Sequence, residues 1–219
     1  MNRLAVFDCD GTLVDSQAHI CSAMEACFAS AGLAAPSRQA TRRVVGLSLV
    51  EVMQVLHPDG TGDHHVELAE GYKRAFQTLR AEGMVHEPLF DGVGALVEAL
   101  DDGGWLLGIA TGKSDRGLNL CLAQHGLLPR FVTLQTADRH PSKPHPAMLH
   151  SAMAEAGAEP ETTVMIGDTS YDMEMARNAG VRAIGVAWGY HDAEELIASG
   201  AEAVARDAEE LAALLKVFA

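Results

Sequence analysis

The sequence is short of positive charge. Its 219 residues include 16 Lys or Arg against 30 Asp or Glu, a formal net charge of −14 at pH 7. No basic stripe suited to a phosphate backbone is present, so no nucleic-acid partner is expected. The same deficit argues against binding an anionic membrane surface. Nowhere do 18 apolar residues run together, so no membrane span is expected. No signal-peptide pattern precedes the first apolar run, and a cytoplasmic location is expected. Cysteine is also scarce. Cys9, Cys21, Cys27 and Cys121 have no CxxC or other zinc-site spacing, which predicts reduced, buried or half-buried thiols. Internal repeats and low-complexity stretches are lacking as well.

What is present suits a globular chain, with 48% hydrophobic and 21% charged residues. The length fits one large domain or a domain carrying an inserted second one. The organising stretch is near the start. Leu4-Ala5-Val6-Phe7 is a short apolar run, the pattern of one buried strand. It leads into Asp8-Cys9-Asp10-Gly11-Thr12. At i and i+2 the two carboxylates share a strand face. Two acids at the exit of a buried strand are costly unless a cation or a proton settles them. An Asp-Gly turn explains Asp10-Gly11 but not Asp8. A small anionic substrate would be repelled by so acidic a chain, so a phosphate site requires a metal or local Lys/Arg.

Residues 16–87 change character. Segments 17–31, 40–57 and 64–82 carry helical periodicity, with breaks at Gly32 to Pro36 and at Pro58 to Gly62. The adjacent His64 and His65 cannot share a helix face and read as a solvated helix start. From Glu87 onward, apolar strands alternate with helices. Strands are expected at Trp105–Ala110, Phe131–Leu134, Thr163–Ile166 and Ala183–Val186, with a short one at Ala203-Val204. Helices are expected over 92–102, 115–125, 146–156, 171–179, 192–199 and 207–217. Such alternation implies right-handed crossovers and a parallel sheet. The expected class is α/β, a Rossmann-like three-layer sandwich formed by 1–15 and 88–219. The α-helical block 16–87 is an insertion after the first strand.

Ligands of an open parallel sheet bind beyond the carboxyl ends of its strands. Those ends carry Asp8 and Asp10, then Thr111-Gly112, then Gly167-Asp168 with Asp172 one helical turn on. Lys143 lies in a loop stiffened by Pro141, Pro144 and Pro146. Asp8, Asp10 and Asp168 offer hard oxygen ligands that suit Mg²⁺. Asp172 is placed to accept hydrogen bonds from metal-bound waters or to hold Lys143. The hydroxyl of Thr111 and the open N–H of Gly112 suit a phosphate oxygen. Lys143 supplies the point charge that a transferring phosphoryl group needs. A carboxylate beside a metal can be phosphorylated as a nucleophile, and its neighbour can shuttle a proton. Asp8 fits the first role and Asp10 the second, a division that spacing alone does not dictate. His140 and His145 flank Lys143 as loop residues.

With these motifs in order, the chain resembles the haloacid dehalogenase-like hydrolase superfamily, most closely its phosphoglycolate phosphatase-like branch. The resemblance covers the whole chain and is most specific at residues 8–16 and 167–172. It implies Asp8 as nucleophile and Asp10 as acid/base, with the Asp10 backbone carbonyl on the metal. Asp168 and Asp172 complete the metal side. Thr111 and Lys143 resemble the phosphate-binding pair, joined by Gly11, Thr12 and Gly112. The block 16–87 looks like a mobile cap that closes on substrate. The implied activity is Mg²⁺-dependent hydrolysis of a small phosphorylated metabolite, phosphoglycolate-like or a sugar phosphate, by a monomer or homodimer. Arg42 and Arg43, with Lys73 and Arg74 behind them, are candidate cap contacts to a carboxylate or second phosphate. Asp10 argues against dehalogenase chemistry, which protonates no leaving alkoxide. A β-phosphoglucomutase-like mutase is the alternative, but Leu49 stands where that branch usually carries Arg. A weakly active, phosphate-binding regulator is a further alternative. One departure stands out: many relatives have Asn where this chain has Gly112.

Overall fold

In the computed structural model, which describes residues 2–217, the opening apolar run forms β1 (Asn2–Phe7). Ala5 and Phe7 join one apolar cluster, Leu4 and Val6 another, as the two-residue period of a strand requires. A strand buried on both faces needs parallel neighbours and helices above and below. The neighbours are β2 (Leu106–Thr111) and β4 (Ala158–Gly167), each parallel to β1. With β3 (Thr133–Thr136), β5 (Arg182–Val186) and β6 (Ala203–Ala205) they form a parallel sheet of order β3-β2-β1-β4-β5-β6.

Helices cover both faces. On one, α5 (Val93–Asp102), α6 (Asp115–Gln124) and α10 (Ala208–Val217) bury Leu96, Leu118 and Leu211. On the other, α7 (Ala147–Ala156), α8 (Ser170–Ala179) and α9 (Ala193–Ser199) bury Met148, Met173 and Leu196. The result is the expected three-layer α/β sandwich. Strand order reverses between β1 and β4, and that switch opens a crevice at their carboxyl ends. Asp8 follows β1 there, and Asp168 follows β4.

Between β1 and α5 lie α1 (Gln17–Ser30), α2 (Arg38–Arg43), α3 (Leu49–Leu56) and α4 (Gly62–Ala81). They enclose a small core of their own, with Met24, Phe28, Val52, Met53 and Leu68 buried in it. The helical periodicity over 40–57 divides into α2 and α3. The chain turns at Gly46, whose φ of +100° is costly for any residue with a β-carbon.

Most strand ends move by a residue or two from expectation, and two shifts have a clear cause. β4 begins at Ala158 rather than Thr163, because Glu159-Pro160-Glu161-Thr162 carries no apolar signal. β3 lies two residues further on, since a 3₁₀ turn at Leu128–Arg130 takes up the preceding chain. All four cysteines are buried and unpaired. Among the described residues no helix is long and apolar enough to cross a membrane.

Candidate active site

Asp8 is fully buried where β1 ends. Its Oδ1 accepts a 2.6 Å hydrogen bond from the Cys9 backbone N–H and lies 3.1 Å from Lys143 Nζ. Its Oδ2 is buried with no hydrogen-bond partner. Burial pushes the carboxyl up to about 7, against the pull of Lys143 and aided by Asp172 and Asp10.

The chain then folds back on itself, with the N–H groups of Leu13 and Val14 both reaching the Cys9 carbonyl. Gly11 permits this turn at φ +88°, and a β-carbon on it would collide with the Asp168 carboxylate. Thr12 Oγ1 donates to Asp168 Oδ1 at 2.7 Å, and the Tyr190 N–H donates to Asp168 Oδ2 at 3.0 Å. Thr12, expected on the phosphate side, therefore orients Asp168. Burial, and then the charges of Asp8 and Asp172, raise the Asp168 carboxyl well above the usual range.

Asp172 sits in the first turn of α8. Its Oδ2 accepts from the backbone N–H and hydroxyl of Thr169, at 3.1 and 2.7 Å, which closes the helix start. Its Oδ1 is left for Lys143 Nζ, 2.6 Å away. Lys143 is wholly buried. Burial alone would lower its pKa, but Asp172 and Asp8 outweigh that and hold the ammonium charged.

One oxygen each from Asp8, Asp168 and Asp172 lies within 4.8 Å of the others, all three residues being buried. Three carboxylates thus face one ammonium, and one oxygen among them is unsatisfied. This donor set suits a hard divalent cation such as Mg²⁺.

Asp10 is not a member of that cluster. Its Oδ1 accepts from the Ser16 hydroxyl and from Lys113 Nζ, the latter at 2.5 Å. Thr111 is buried at the end of β2, its hydroxyl accepting from the Lys113 N–H at 3.3 Å. Asp8, Asp10, Thr111 and Gly112 all border one cavity of about 450 Å³ beneath the helical insertion.

Residues 5–186 match the family model described as haloacid dehalogenase-like hydrolase. The chain belongs to the haloacid dehalogenase-like hydrolase family. It is 37% identical over 205 residues to the protein named "Probable phosphatase IndB" of Dickeya dadantii, covering 91% of this chain and 87% of that one. It is 30% identical to a phosphoglycolate phosphatase of Xylella fastidiosa, covering 88% and 83%. The crystal structure of a predicted phosphatase from Clostridium acetobutylicum superposes with a TM-score of 0.89 over 99% of both chains. At 24% identity that likeness speaks for the fold alone.

In this haloacid dehalogenase-like hydrolase, the two cap arginines do not reach the cavity. Neither Arg42 nor Arg43 lines it. The Arg43 guanidinium instead grips Glu195 through two hydrogen bonds of 2.6 and 2.8 Å. The Arg43 carbonyl accepts from Tyr171 at 3.1 Å. The expectation for Arg43 is corrected: it fastens the insertion to the sheet layer, because α2 presents its last turn to α8 and α9.

Lys113 was not singled out from the sequence. Its ammonium is shared by Asp10 and by Glu87, at 2.5 and 2.8 Å, and Glu87 also pairs with Arg80 at 2.6 Å. Burial works against the Lys113 charge, but the surrounding acids raise its pKa well above normal. The one signal available was its place two residues beyond Thr111 at a strand end.

Proposed function

We propose that this enzyme, a phosphatase of the haloacid dehalogenase-like family, requires Mg²⁺ and hydrolyses a small phosphorylated metabolite through a phosphoryl group carried on Asp8. The observation that carries the reading is Asp8 itself, which borders the cavity, meets Lys143 through Oδ1 at 3.1 Å and keeps a buried Oδ2 with no partner. An unsatisfied buried oxygen is costly unless function uses it.

Asp8 Oδ2 attacks phosphorus, and the bond from phosphorus to the alcohol oxygen breaks. Asp10 gives a proton to that departing oxygen. Ser16 and Lys113 hold only Oδ1 of Asp10, which leaves Oδ2 for the transfer. In the second half, Asp10 takes a proton from water, the water oxygen bonds to phosphorus, and the phosphorus–Asp8 bond breaks. Thr111, the Gly112 N–H and Lys143 hold phosphoryl oxygens. Asp8, Asp168 and the Asp10 carbonyl would hold Mg²⁺, with Asp172 supporting. When bound, Mg²⁺ offsets negative charge on the carboxylates and on the phosphoryl group.

Purified protein with Mg²⁺ should release phosphate from a generic aryl phosphate, and Asp8→Asn should abolish release. Undiminished turnover by Asp8→Asn would overturn the nucleophile assignment. Leu49 lines the cavity as an apolar side chain, which favours hydrolysis over the mutase alternative. A sugar 1-phosphate should accordingly give free phosphate and no isomer.

A further inference from the structure

We infer that the substrate is a phosphomonoester whose alcohol part is bulky and mainly apolar, rather than a short hydroxy acid or a polyol. This rests on the phosphatase reading above and concerns only the group attached to the phosphate.

The first observation is size. The cavity of about 450 Å³ lies directly over Asp8 and Asp10. Sites of roughly 300–1,000 Å³ enclose ligands far larger than a phosphoryl group with a two-carbon tail.

The second is the wall. Asp8, Asp10 and Thr111 lie on the floor, whereas the roof, lined by the helical insertion, is mostly apolar, with Met24, Val45, Leu49, Val52, Tyr72 and Phe76 beside a polar margin at Thr41 and Gln77. Tyr72 and Phe76 stand one turn apart on α4, their ring centroids 6.0 Å apart and tilted by 40°. Such a pair offers faces and edges to another ring or to an alkyl chain.

The third is charge. A short phosphorylated hydroxy acid brings a carboxylate, which needs a cation of its own. Four cations border the cavity: Lys73, Arg80, Lys113 and Arg116. Lys73 is paired with Glu70, Arg80 with Glu87, and Lys113 with Asp10 and Glu87. Arg116 has no ion pair among the described residues, but it is solvent-exposed on α6, which belongs to the sheet layer and not to the insertion. Arg42 and Arg43 lie outside. The roof therefore repays apolar surface and offers no buried receptor for a second anion.

The test compares esters with similar primary alcohols as leaving groups, so that the contrast reports the contacts of the alcohol part. Enzyme with Mg²⁺ is given ethyl, hexyl and 2-phenylethyl phosphate, phosphoglycolate, and one aryl phosphate as a general probe. Each buried methylene is worth roughly fourfold. The value of kcat/KM for hexyl phosphate, with four more methylenes, should therefore exceed that for ethyl phosphate by about 250-fold, and 2-phenylethyl phosphate should gain by a similar order. Phosphoglycolate should do no better than ethyl phosphate. Phe76→Ala should raise KM for 2-phenylethyl phosphate about tenfold and shrink its advantage over ethyl phosphate, with Phe76→Leu restoring part of it. If phosphoglycolate or ethyl phosphate matches or beats the bulky esters, the inference is overturned while the phosphatase reading stands. If no ester, the aryl probe included, releases phosphate, both fall together.

Discussion

Gly112 and Leu47 meet backbone to backbone across the junction between sheet and insertion. A β-carbon on Gly112 would lie 2.6 Å from the Leu47 carbonyl oxygen and 2.8 Å from that of Gly46. This gives the departure from Asn at this position a physical reason: any side chain would hold the Gly46 turn away from the sheet. Gly112→Asn should cost about 1–3 kcal/mol in the docked arrangement, as overpacking does. The expected readout is a fall in kcat/KM of about tenfold or more, with a melting temperature close to that of the parent chain.

Among the described residues Lys113 alone pairs with both Asp10 and Glu87, whose side chains are 12% and 0% exposed. Replacing it by Met leaves two carboxylates without their shared cation. A loss of about 3 kcal/mol in unfolding free energy is expected, together with a lower kcat. Lys113→Met combined with Glu87→Gln should recover part of the stability, and little of the kcat if Asp10 is the acid. Chemical denaturation and steady-state kinetics on the two variants check this.

Glu87 sets an acid limit. Burial pushes its carboxyl up, but Lys113 and Arg80 outweigh burial and hold it below the usual range. A depressed folded-state value means its stabilisation is present above the unfolded value of about 4.3 and is lost as pH falls through the folded one. Unfolding free energy should therefore decline as pH is lowered from about 5 towards 3. In Glu87→Gln that decline should be shallower, from a lower starting stability.

Mg²⁺ should stabilise the folded chain. Ligand at 100 times its Kd adds about 2.7 kcal/mol, so melting temperature should rise with Mg²⁺ concentration and fall back with chelator. Asp168→Asn removes a carboxylate from the cluster and should raise the half-saturating Mg²⁺ concentration at least tenfold by about 1.4 kcal/mol or more. A thermal shift titration measures both without any assay of turnover.

Much of the fold was legible because it rests on local pattern. The run from Leu4 to Phe7, the strand-to-helix alternation after Glu87 and the helical periodicity of 17–31 and 64–82 all follow from which residues are apolar and how they are spaced. The division of 40–57 was signalled by Gly46 and by Ser48, the residue before α3, but the apolar residues on either side kept the helical period running across them. At the site, the residues at the ends of β1 and β4 were marked by carboxylates at strand exits. Lys113, Glu87 and Arg43 were not legible in their roles. Each is defined by a partner 26 to 152 residues away, and only the docking of insertion on sheet brings those partners together.

The helical insertion has an apolar core of its own, separate from both faces of the sheet. The roof of the cavity and its reactive floor are therefore encoded by different stretches of chain with little shared packing. A selection experiment could randomise Leu49, Tyr72 and Phe76, which line the cavity but are only partly buried, while leaving residues 8–16 and 111–172 untouched. Substrate preference would then evolve as an exchangeable part, at small risk to the chemistry beneath it.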